Sequence, residues 1–363
     1  MDIVIIGLPQ SGKTTLFTAL TLGKSDASGA SGSPTEMHLG AVKVPDQRLD
    51  HLGVIYHPRK IVPAEVRYTD LPGPEGMARS QGISGRYRNA LQSATAFVIV
   101  VRAFHSDAVP HPSGTVDPAR DLEAMLGELS FADLEVLERA STRLAEQFNK
   151  TKPADRPAMA RQKETVDKAR AGLENGIPVR RQTFTDSERA ILLNYQLLSD
   201  KNVIAVFNTD EGADDIRIAD LDLDAELTAG VGEVSISARI EAELAMMDAE
   251  EADEFRADFG LGEPATSQVI RASYDTLGLV SFLTVGDDEV RAWSVPGGMP
   301  AVNAAGVIHT DFTRGFIRAE VIAYDDFHAC GSMAQGRKEG LLRSEGKTYP
   351  VQDGDIINFL VNT

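Results

Sequence analysis

Residues 7–14 read Gly7-Leu8-Pro9-Gln10-Ser11-Gly12-Lys13-Thr14, and this stretch decides the fold. It matches G-x-x-x-x-G-K-[ST], in which backbone N–H groups curl round a polyphosphate, the lysine reaches the β- and γ-phosphates and the hydroxyl meets Mg²⁺. The apolar run from Ile3 to Ile6 predicts a strand before it, and Lys13 to Leu22 predicts a helix after it. The predicted phosphate-binding residues are Gly7, Pro9, Gln10, Ser11, Gly12, Lys13, Thr14 and Thr15.

A second motif, Asp70-Leu71-Pro72-Gly73, follows the strand-like run from Val66 to Thr69. It has the form D-x-x-G of GTPase-like proteins, in which the aspartate is directed to Mg²⁺ and the glycine N–H meets the γ-phosphate. A surface turn is the alternative interpretation, because D-x-P-G is common turn chemistry. We therefore predict Mg²⁺ as a cofactor, with Thr14 and Asp70 as ligands, and Gly73 as a further phosphate contact.

The residue after Gly73 is Pro74, at the place where many small GTPases carry the glutamine that positions the attacking water. Proline has no side-chain donor or acceptor, so another group must align the water or nothing does. We expect slow hydrolysis by the protein alone.

A third motif, Asn208-Thr209-Asp210-Glu211, follows the apolar run from Val203 to Phe207, where guanine-specific proteins present N-K-x-D. The lysine is missing and the fourth position is Glu, so the two guanine N–H donors lose their fitted acceptor. The turn at Ser237 and Ala238 resembles the S-A turn that closes a base pocket. We predict that Asn208, Thr209, Glu211, Ser237 and Ala238 contact the base, and that ATP is bound at least as well as GTP.

The rest of the first 274 residues alternates in the α/β manner. Ala96 to Val101 is a buried strand of the parallel kind, which favours a doubly wound sheet. Pro118 to Phe148 and a second helix that ends at Asn175 predict an inserted helical hairpin, divided by a polar break. A capping box, Thr185 to Glu188, predicts a helix through Leu198, and a further acidic helix is predicted over Glu241 to Phe259.

Beyond Tyr274 the pattern changes to short strand-like runs with turns, typical of a small α+β domain of β-grasp size. The predicted organisation is an α/β P-loop domain over 1–117 and 182–274, a helical arm over 118–181 and a C-terminal β-grasp domain over 275–363.

Composition excludes several classes of protein. With 363 residues, 42% hydrophobic and 25% charged, the chain has room for two or three globular domains. The sequence contains no run of 18 apolar residues, so we predict no membrane span. The N-terminus does not have the pattern of a signal peptide. The single cysteine, Cys330, suits a reducing compartment, so we expect a cytoplasmic protein without a membrane partner.

The net charge of −18 opposes non-specific adhesion to nucleic acid, but the charge is unevenly distributed. Residues 139–181 contain 11 Lys or Arg and 5 Asp or Glu, whereas residues 208–264 contain 3 Arg and 18 Asp or Glu. Both runs can be solvated helix faces. The basic run is also a candidate contact surface for a polyanion.

Several segments resemble the Obg-like ATPase (YchF) family. The similar segments include Val44 to Asp50, Ala305 to Phe312, Gly315 to Ala319, Tyr324 to Phe327 and Val351 to Asp355. The resemblance covers essentially the whole chain and implies a P-loop domain interrupted by a helical hairpin, a C-terminal TGS domain and hydrolysis of ATP at least as well as GTP. It also implies a ribosome or another RNA-containing partner.

The same resemblance implies a catalytic histidine and bears on a further magnesium ligand. Val100 to Phe104 looks like the family's V-V-R-x-F run, and His111-Pro112-Ser113-Gly114 looks like its H-x-S-G, so His111 takes the role of the catalytic histidine. Where the family carries T-I-E-P-N, this chain reads Pro34-Thr35-Glu36-Met37-His38 and keeps only the glutamate in register. We predict Thr35 of this segment as the third magnesium ligand.

Three functions remain open from the sequence. The first is a regulatory ATPase that couples its nucleotide state to the ribosome or another RNA-containing partner, without sequence-specific DNA binding. The second is a nucleotide-sensing binding module whose hydrolysis has decayed, and the third is a GTPase. A small-metabolite kinase is disfavoured, because such kinases need neither D-x-x-G nor a TGS segment.

Overall fold

The computed structural model describes residues 1–21, 37–71 and 87–362. The strands are β1 (Asp2–Ile6), β2 (His38–Lys43), β3 (Lys60–Val62), β4 (Glu65–Asp70), β5 (Ala96–Ala103), β6 (Asn202–Thr209), β7 (Gly232–Ile236), β8 (Leu279–Thr284), β9 (Glu289–Pro296), β10 (Phe316–Ala323), β11 (Arg343–Glu345) and β12 (Asp355–Val361). The helices are α1 (Lys13–Leu20), α2 (Gln47–Tyr56), α3 (Arg88–Ser93), α4 (Pro118–Phe148), α5 (Arg156–Glu174), α6 (Asp186–Leu192), α7 (Ala225–Thr228), α8 (Ala238–Leu244), α9 (Ala249–Asp258), α10 (Ala265–Leu277), α11 (Ala301–Ile308), α12 (Thr310–Gly315), α13 (Tyr324–Cys330) and α14 (Met333–Lys338). Among the helices of these ranges, none is both long and apolar enough to cross a membrane.

The first sheet has the order β2-β4-β1-β5-β6-β7. β1 pairs in parallel with β4 on one side and with β5 on the other, and β5, β6 and β7 continue the parallel pairing. Such a sheet is buried on both faces, and Phe97, Ile99 and Phe207 are fully buried in a core that also contains Leu122 of α4. The predicted doubly wound α/β sheet is confirmed. The loop after β1 lies where the strand order reverses, which is the usual ligand-binding position of such sheets.

The predicted helical hairpin is formed by α4 and α5. Asp117 caps α4 by accepting a hydrogen bond from the Arg120 N–H, and Pro118 occupies the first turn. Apolar side chains of both helices share one core with residues that follow them: Leu137, Leu144, Val166, Ala169, Leu173, Val179, Leu192 and Tyr195. The arm is therefore held together by an apolar stripe along each helix.

Two predicted helices have different ends in the structure. The capping box of Thr185 and Glu188 is present, but α6 ends at Leu192 and a short 3₁₀ turn follows. Gln196, with a left-handed φ of 50°, ends that turn before the predicted end at Leu198. The acidic stretch predicted as one helix forms α8 and α9. It is divided at Asp248, whose side chain accepts a hydrogen bond from the Glu251 N–H and so begins a new helix.

The chain forms two compact units, residues 1–41 with 67–276, and residues 42–66 with 277–363. The predicted boundary at 274/275 is thus two residues from the observed one, and the arm belongs to the first unit. Residues 42–66, which the sequence placed in the first domain, belong to the second. The reason is long-range: β3 pairs in parallel with β9, and Leu49 and Leu52 of α2 join a core that contains Phe327.

The second unit has a mixed sheet of order β11-β10-β12-β8-β9-β3. Helix α11 places Ala301, Ala304 and Ala305 in a core with Phe282 and Phe316. Helix α11 packs on one face of this sheet, and α2 and α13 pack on the other through the core that contains Leu52 and Phe327. A mixed sheet covered by helices accords with the predicted TGS-like β-grasp domain.

Candidate nucleotide-binding site

The loop between β1 and α1 needs glycine at two positions, Gly7 and Gly12. Gly7 has a φ of 154° and Gly12 a φ of 94°. A Cβ atom at Gly7 would lie 2.5 Å from the Val100 carbonyl oxygen, and one at Gly12 would lie 2.2 Å from Asn208 Nδ2. Both positions therefore exclude a side chain on two grounds, backbone conformation and space.

Lys13 is the first residue of α1, and its side chain turns back toward this loop. Its Nζ donates to the carbonyl oxygens of Gly7 (3.1 Å) and Leu8 (2.9 Å), and the residue is buried. Burial lowers the pKa of the Lys13 ammonium, and the nearby Asp70 carboxylate partly opposes this effect. The Lys13 ammonium group thus lies beside the backbone groups of the loop, where phosphate binding requires a cation.

Thr14, in the first turn of α1, contacts Asp70 at the carboxyl end of β4. Thr14 Oγ1 donates to Asp70 Oδ2 over 2.9 Å, and Asp70 Oδ1 is buried without a hydrogen-bond partner among the described residues. Burial raises the pKa of the Asp70 carboxyl, against the opposing effects of the Thr14 hydrogen bond and of Lys13. A hydroxyl beside a carboxylate with a free buried oxygen is a donor set that fits Mg²⁺.

A cavity of about 370 Å³ adjoins the loop. Its lining contains residues from the loop, from the end of β5 and from the segments after β6 and β7: Gly12, Thr15, Phe104, His105, Ser106, Asn208, Thr209, Asp210, Glu211, Ser237, Arg239 and Ile240. Four of the five predicted base contacts are therefore brought together. The fifth, Ala238, lies beside the cavity and donates its backbone N–H to Asn208.

Asn208 connects the phosphate loop to the base side of the cavity. Its Nδ2 donates to the Ser11 carbonyl oxygen over 3.0 Å, and its Oδ1 accepts from the Ala238 N–H over 3.0 Å. Thr209 is fixed in turn by donating to the Ile236 carbonyl oxygen over 3.1 Å. The asparagine thus acts as a buried brace between three segments, in addition to lining the cavity.

His111 lies outside the lining of this cavity. Its side chain is 2% exposed, its Nδ1 accepts from the Ser113 N–H over 3.0 Å, and its Nε2 lies 2.7 Å from Asp121 Oδ2. Because Nδ1 is an acceptor, Nε2 carries the proton and donates to Asp121. Arg120 binds the other oxygen of the same carboxylate through two nitrogens, at 3.0 and 2.8 Å. The predicted catalytic histidine is therefore attached to the first turn of α4.

The remaining predicted residues are located as follows. Pro9 and Gln10 form the turn of the loop, where Gln10 has a φ of 62°, and Ser11 is buried with an Oγ that has no hydrogen-bond partner among the described residues. Gly73, Pro74 and Thr35 lie outside the described residues.

Sequence reasoning missed six residues that line the cavity: Phe104, His105, Ser106, Asp210, Arg239 and Ile240. Phe104 offers an aromatic face, Arg239 follows the S-A turn, and Asp210 accepts the His105 N–H at its Oδ2 over 3.1 Å. Phe104 had a usable signal, because it follows directly on the apolar run of β5 and so lies at the carboxyl edge of the sheet. Arg239 had none, since one exposed arginine near a helix start is common.

The strand, glycine loop and helix, the Thr14–Asp70 pair and the adjoining base cavity define a P-loop nucleoside triphosphatase of the G-domain type. The family model described as a 50S ribosome-binding GTPase matches residues 2–136. A model named for the C-terminal region of the YchF GTPase, described as a protein of unknown function, matches residues 279–362.

Individual relatives give the narrower assignment. The chain is 37% identical over 363 residues to the ribosome-binding ATPase YchF of Bacillus subtilis, which covers 99% of this chain and 98% of the relative. It is also 37% identical over 361 residues to the protein of the same name from Escherichia coli O157:H7, with coverage of 99% and 98%. A solved structure, the Schizosaccharomyces pombe YchF GTPase, superimposes with a TM-score of 0.81 at 27% identity and covers 99% of this chain and 97% of that one. This chain belongs to the YchF family.

Proposed function

We propose that this protein is a ribosome-associated ATPase that binds ATP at least as tightly as GTP and hydrolyses it slowly. The observation that carries the proposal is the direct connection of the phosphate loop to the base cavity through Asn208, with Glu211 in place of the aspartate that guanine requires. The names of the bacterial relatives support ATP, whereas the name of the yeast structure includes GTPase. The base preference of this chain is therefore the property to measure.

The residues that would hold Mg²⁺ are Thr14 and Asp70, with Thr35 as the further ligand predicted from the sequence. The support is Asp70 Oδ1, which is buried, has no hydrogen-bond partner in the part of the chain that the structure describes, and would be satisfied by a bound cation. When bound, the ion would neutralise phosphate charge. Lys13 acts beside it by binding phosphate oxygens, and the backbone N–H groups of the loop orient them.

The base would enter the cavity beside Phe104, with its polar edge toward the segment of Asn208 to Glu211. Phe104 provides a stacking face that any purine can use. Discrimination then depends on the polar edge, where a carboxylate placed for the guanine N–H pair would add a charge-assisted interaction. Glu211 is one methylene longer than aspartate, so we expect no strong preference for guanine.

Slow hydrolysis accords with two features. Pro74 has no side-chain donor or acceptor to position water, and His111 is held by Asp121 and Ser113 rather than at the cavity. The catalytic role of His111 stays a prediction, and it requires the histidine to leave Asp121 during the reaction cycle. The same observation favours the second candidate function, a nucleotide-sensing module with decayed hydrolysis.

The ribosome is the partner that the names of the bacterial relatives support. The arm of α4 and α5 contains much of the basic run, which suits contact with RNA phosphates. The predicted cytoplasmic location is part of the same proposal, since ribosomes lie there. Co-sedimentation with purified ribosomes in ADP and in a non-hydrolysable ATP analogue tests this partner. Equal and negligible sedimentation in both states would contradict it.

Calorimetric titration of ATP and GTP tests the nucleotide assignment. Lys13→Ala removes a charge-assisted contact of ~1.5–3 kcal/mol, so we expect ATP affinity to fall by about one to two decades. Lys43→Ala, which changes an exposed lysine of β2, is the matched control and should bind like the parent. Unchanged ATP affinity in Lys13→Ala would refute the P-loop assignment. Tenfold tighter binding of GTP than ATP would favour the GTPase alternative.

Single-turnover hydrolysis with and without ribosomes separates the ATPase from the sensing module. His111→Ala should keep ATP affinity within a few-fold and lower the rate at least tenfold, because positioned acid or base groups contribute ~10²- to 10⁴-fold. His309→Ala is the control, since His309 Nδ1 also accepts the N–H of the residue two positions on. Hydrolysis at the parent rate by His111→Ala would show that this histidine is structural.

A further inference from the structure

Arg102 is a buried charge that the proposed function does not use. It lies near the end of β5, is 2% exposed, and aligns with Asn208 in the register of β5 and β6. Within the described residues it forms no ion pair with a carboxylate, and its Nη1 has no hydrogen-bond partner. A buried guanidinium without a counter-charge costs free energy. The other contacts of Arg102 must therefore offset that cost.

Those contacts join the two ends of one loop. Arg102 Nε donates to the Phe104 carbonyl oxygen over 3.2 Å, and Nη2 donates to the Val109 carbonyl oxygen over 2.7 Å. The guanidinium also lies over the Phe104 ring, 4.4 Å from its centroid. One planar side chain thus holds the aromatic wall of the base cavity and the backbone two residues before His111.

We propose that Arg102 is a positioning residue that couples occupancy of the base cavity to the segment that carries His111. This inference rests on the proposed function. A base against Phe104 changes the surroundings of the stacked guanidinium, and the Nη2 bond transmits the change to the Val109 carbonyl. The coupling is a difference in free energy between two arrangements of the loop from Phe104 to His111, and base binding favours one of them.

The ring signals of His111 in the unmodified protein give a test that needs no hydrolysis. Imidazole nitrogen and carbon-bound proton resonances are recorded by NMR, and His111→Ala assigns the signal of interest. ADP supplies a base and a diphosphate, whereas pyrophosphate supplies the diphosphate alone. We expect ADP to move the His111 signals at least twice as far as saturating pyrophosphate does. Equal movement by the two ligands overturns the proposal.

Two variants then locate the coupling. Arg102→Lys keeps the charge but cannot stack as a plane or donate to both carbonyl groups from a rigid fork. Arg102→Gln needs no buried charge and serves as the second variant if Arg102→Lys does not fold. In either, we expect pyrophosphate affinity within twofold of the parent, loss of the ADP-specific shift, and kcat for ATP lowered at least fivefold with KM changed less than threefold.

Arg180→Lys is the matched control, because Arg180 is a half-buried arginine whose Nη2 also donates to a backbone carbonyl, that of Leu227. It should retain the ADP-specific shift. A merely structural Arg102 would lower the melting temperature of its variants and leave the ADP-specific shift intact, which overturns the proposal. A protein that binds neither ADP nor pyrophosphate refutes the proposed function itself. If neither Arg102 variant folds, the comparison of ADP with pyrophosphate in the unmodified protein decides.

Discussion

At position 12 a single residue serves both the phosphate loop and the base cavity. Gly12 has a left-handed φ of 94°, and the space where a Cβ would lie is taken by Asn208 Nδ2 at 2.2 Å. Asn208 in turn holds Ser11 and Ala238. The motif alone predicts the glycine. The second reason for it depends on a residue far along the chain, which the motif does not contain.

Gly12→Ala therefore combines two separable costs. Backbone strain contributes ~1–2 kcal/mol, and disruption of the Asn208 brace adds roughly 1–3 kcal/mol. We expect urea denaturation to show both, and calorimetry to show at least a tenfold loss of ATP affinity. Gly176→Ala is the control, because Gly176 has a φ of 78° with nothing within 4 Å of its Cβ position. Gly176→Ala should lower the free energy of unfolding by the backbone strain alone. Equal losses of stability in the two variants would contradict the role of Asn208 as a brace.

At the scale of elements, the sequence patterns predicted those strands and helices whose structure is determined by residues within the element itself. β1, β5, β6 and α4 follow from apolar runs, a cap and a proline, all of which act within a few residues. The predictions of one helix through Leu198 and of one helix over α8 and α9 were wrong. The first pattern is interrupted by a 3₁₀ turn that ends at a left-handed Gln196, and the second by the capping Asp248, each inside an otherwise helical pattern. The buried side chain of His111 is held by Asp121, which lies outside the H-x-S-G motif. The motif therefore predicts the histidine but not its hydrogen-bond partner.

Asp133 of α4 connects the arm to the segment before β6. Its carboxylate accepts from the N–H groups of Leu198 and Ser199, both over 2.7 Å, and from Ser199 Oγ over 2.6 Å. Burial nevertheless raises the pKa of Asp133 to about 6 from 3.8, because the desolvation cost exceeds the effect of these hydrogen bonds. The folded protein therefore binds this proton more tightly than the unfolded chain does.

This difference in proton affinity makes the free energy of unfolding depend on pH. The stabilising contribution of the protonated carboxyl is complete below pH 3.8 and is lost as the pH rises through about 6. We expect the free energy of unfolding of the parent, relative to Asp133→Asn, to fall by roughly 2 kcal/mol between pH 4 and 7. Urea titrations at four pH values measure this difference. Ser199→Ala keeps the buried carboxyl and should keep the trend, whereas a difference independent of pH would show that Asp133 does not titrate there.

At the scale of the whole molecule, sequence order and structural unit diverge. Residues 42–66 lie between two parts of the first unit in the sequence but fold with the second. No local pattern carries this information, because the three residues of β3 resemble any short extended segment until β9, more than two hundred residues later, is paired with them. The spacing of Leu49 and Leu52 in the sequence indicates an apolar helix face, but it does not indicate which core that face enters.

Leu52→Ala tests which unit depends on this segment. Leu52 is 0% exposed in the core that contains Leu283 and Phe327, so its truncation should cost the second unit ~2–5 kcal/mol. Trp293 is the one tryptophan of the chain and lies in the second unit, so its fluorescence reports the unfolding of that unit. We expect Leu52→Ala to lower the urea midpoint of Trp293 fluorescence while ATP affinity stays within twofold of the parent. Val54→Ala, at a position of α2 that is 68% exposed, should change neither. A loss of ATP affinity with an unchanged tryptophan transition would instead assign residues 42–66 to the nucleotide-binding unit, as their place in the sequence suggested.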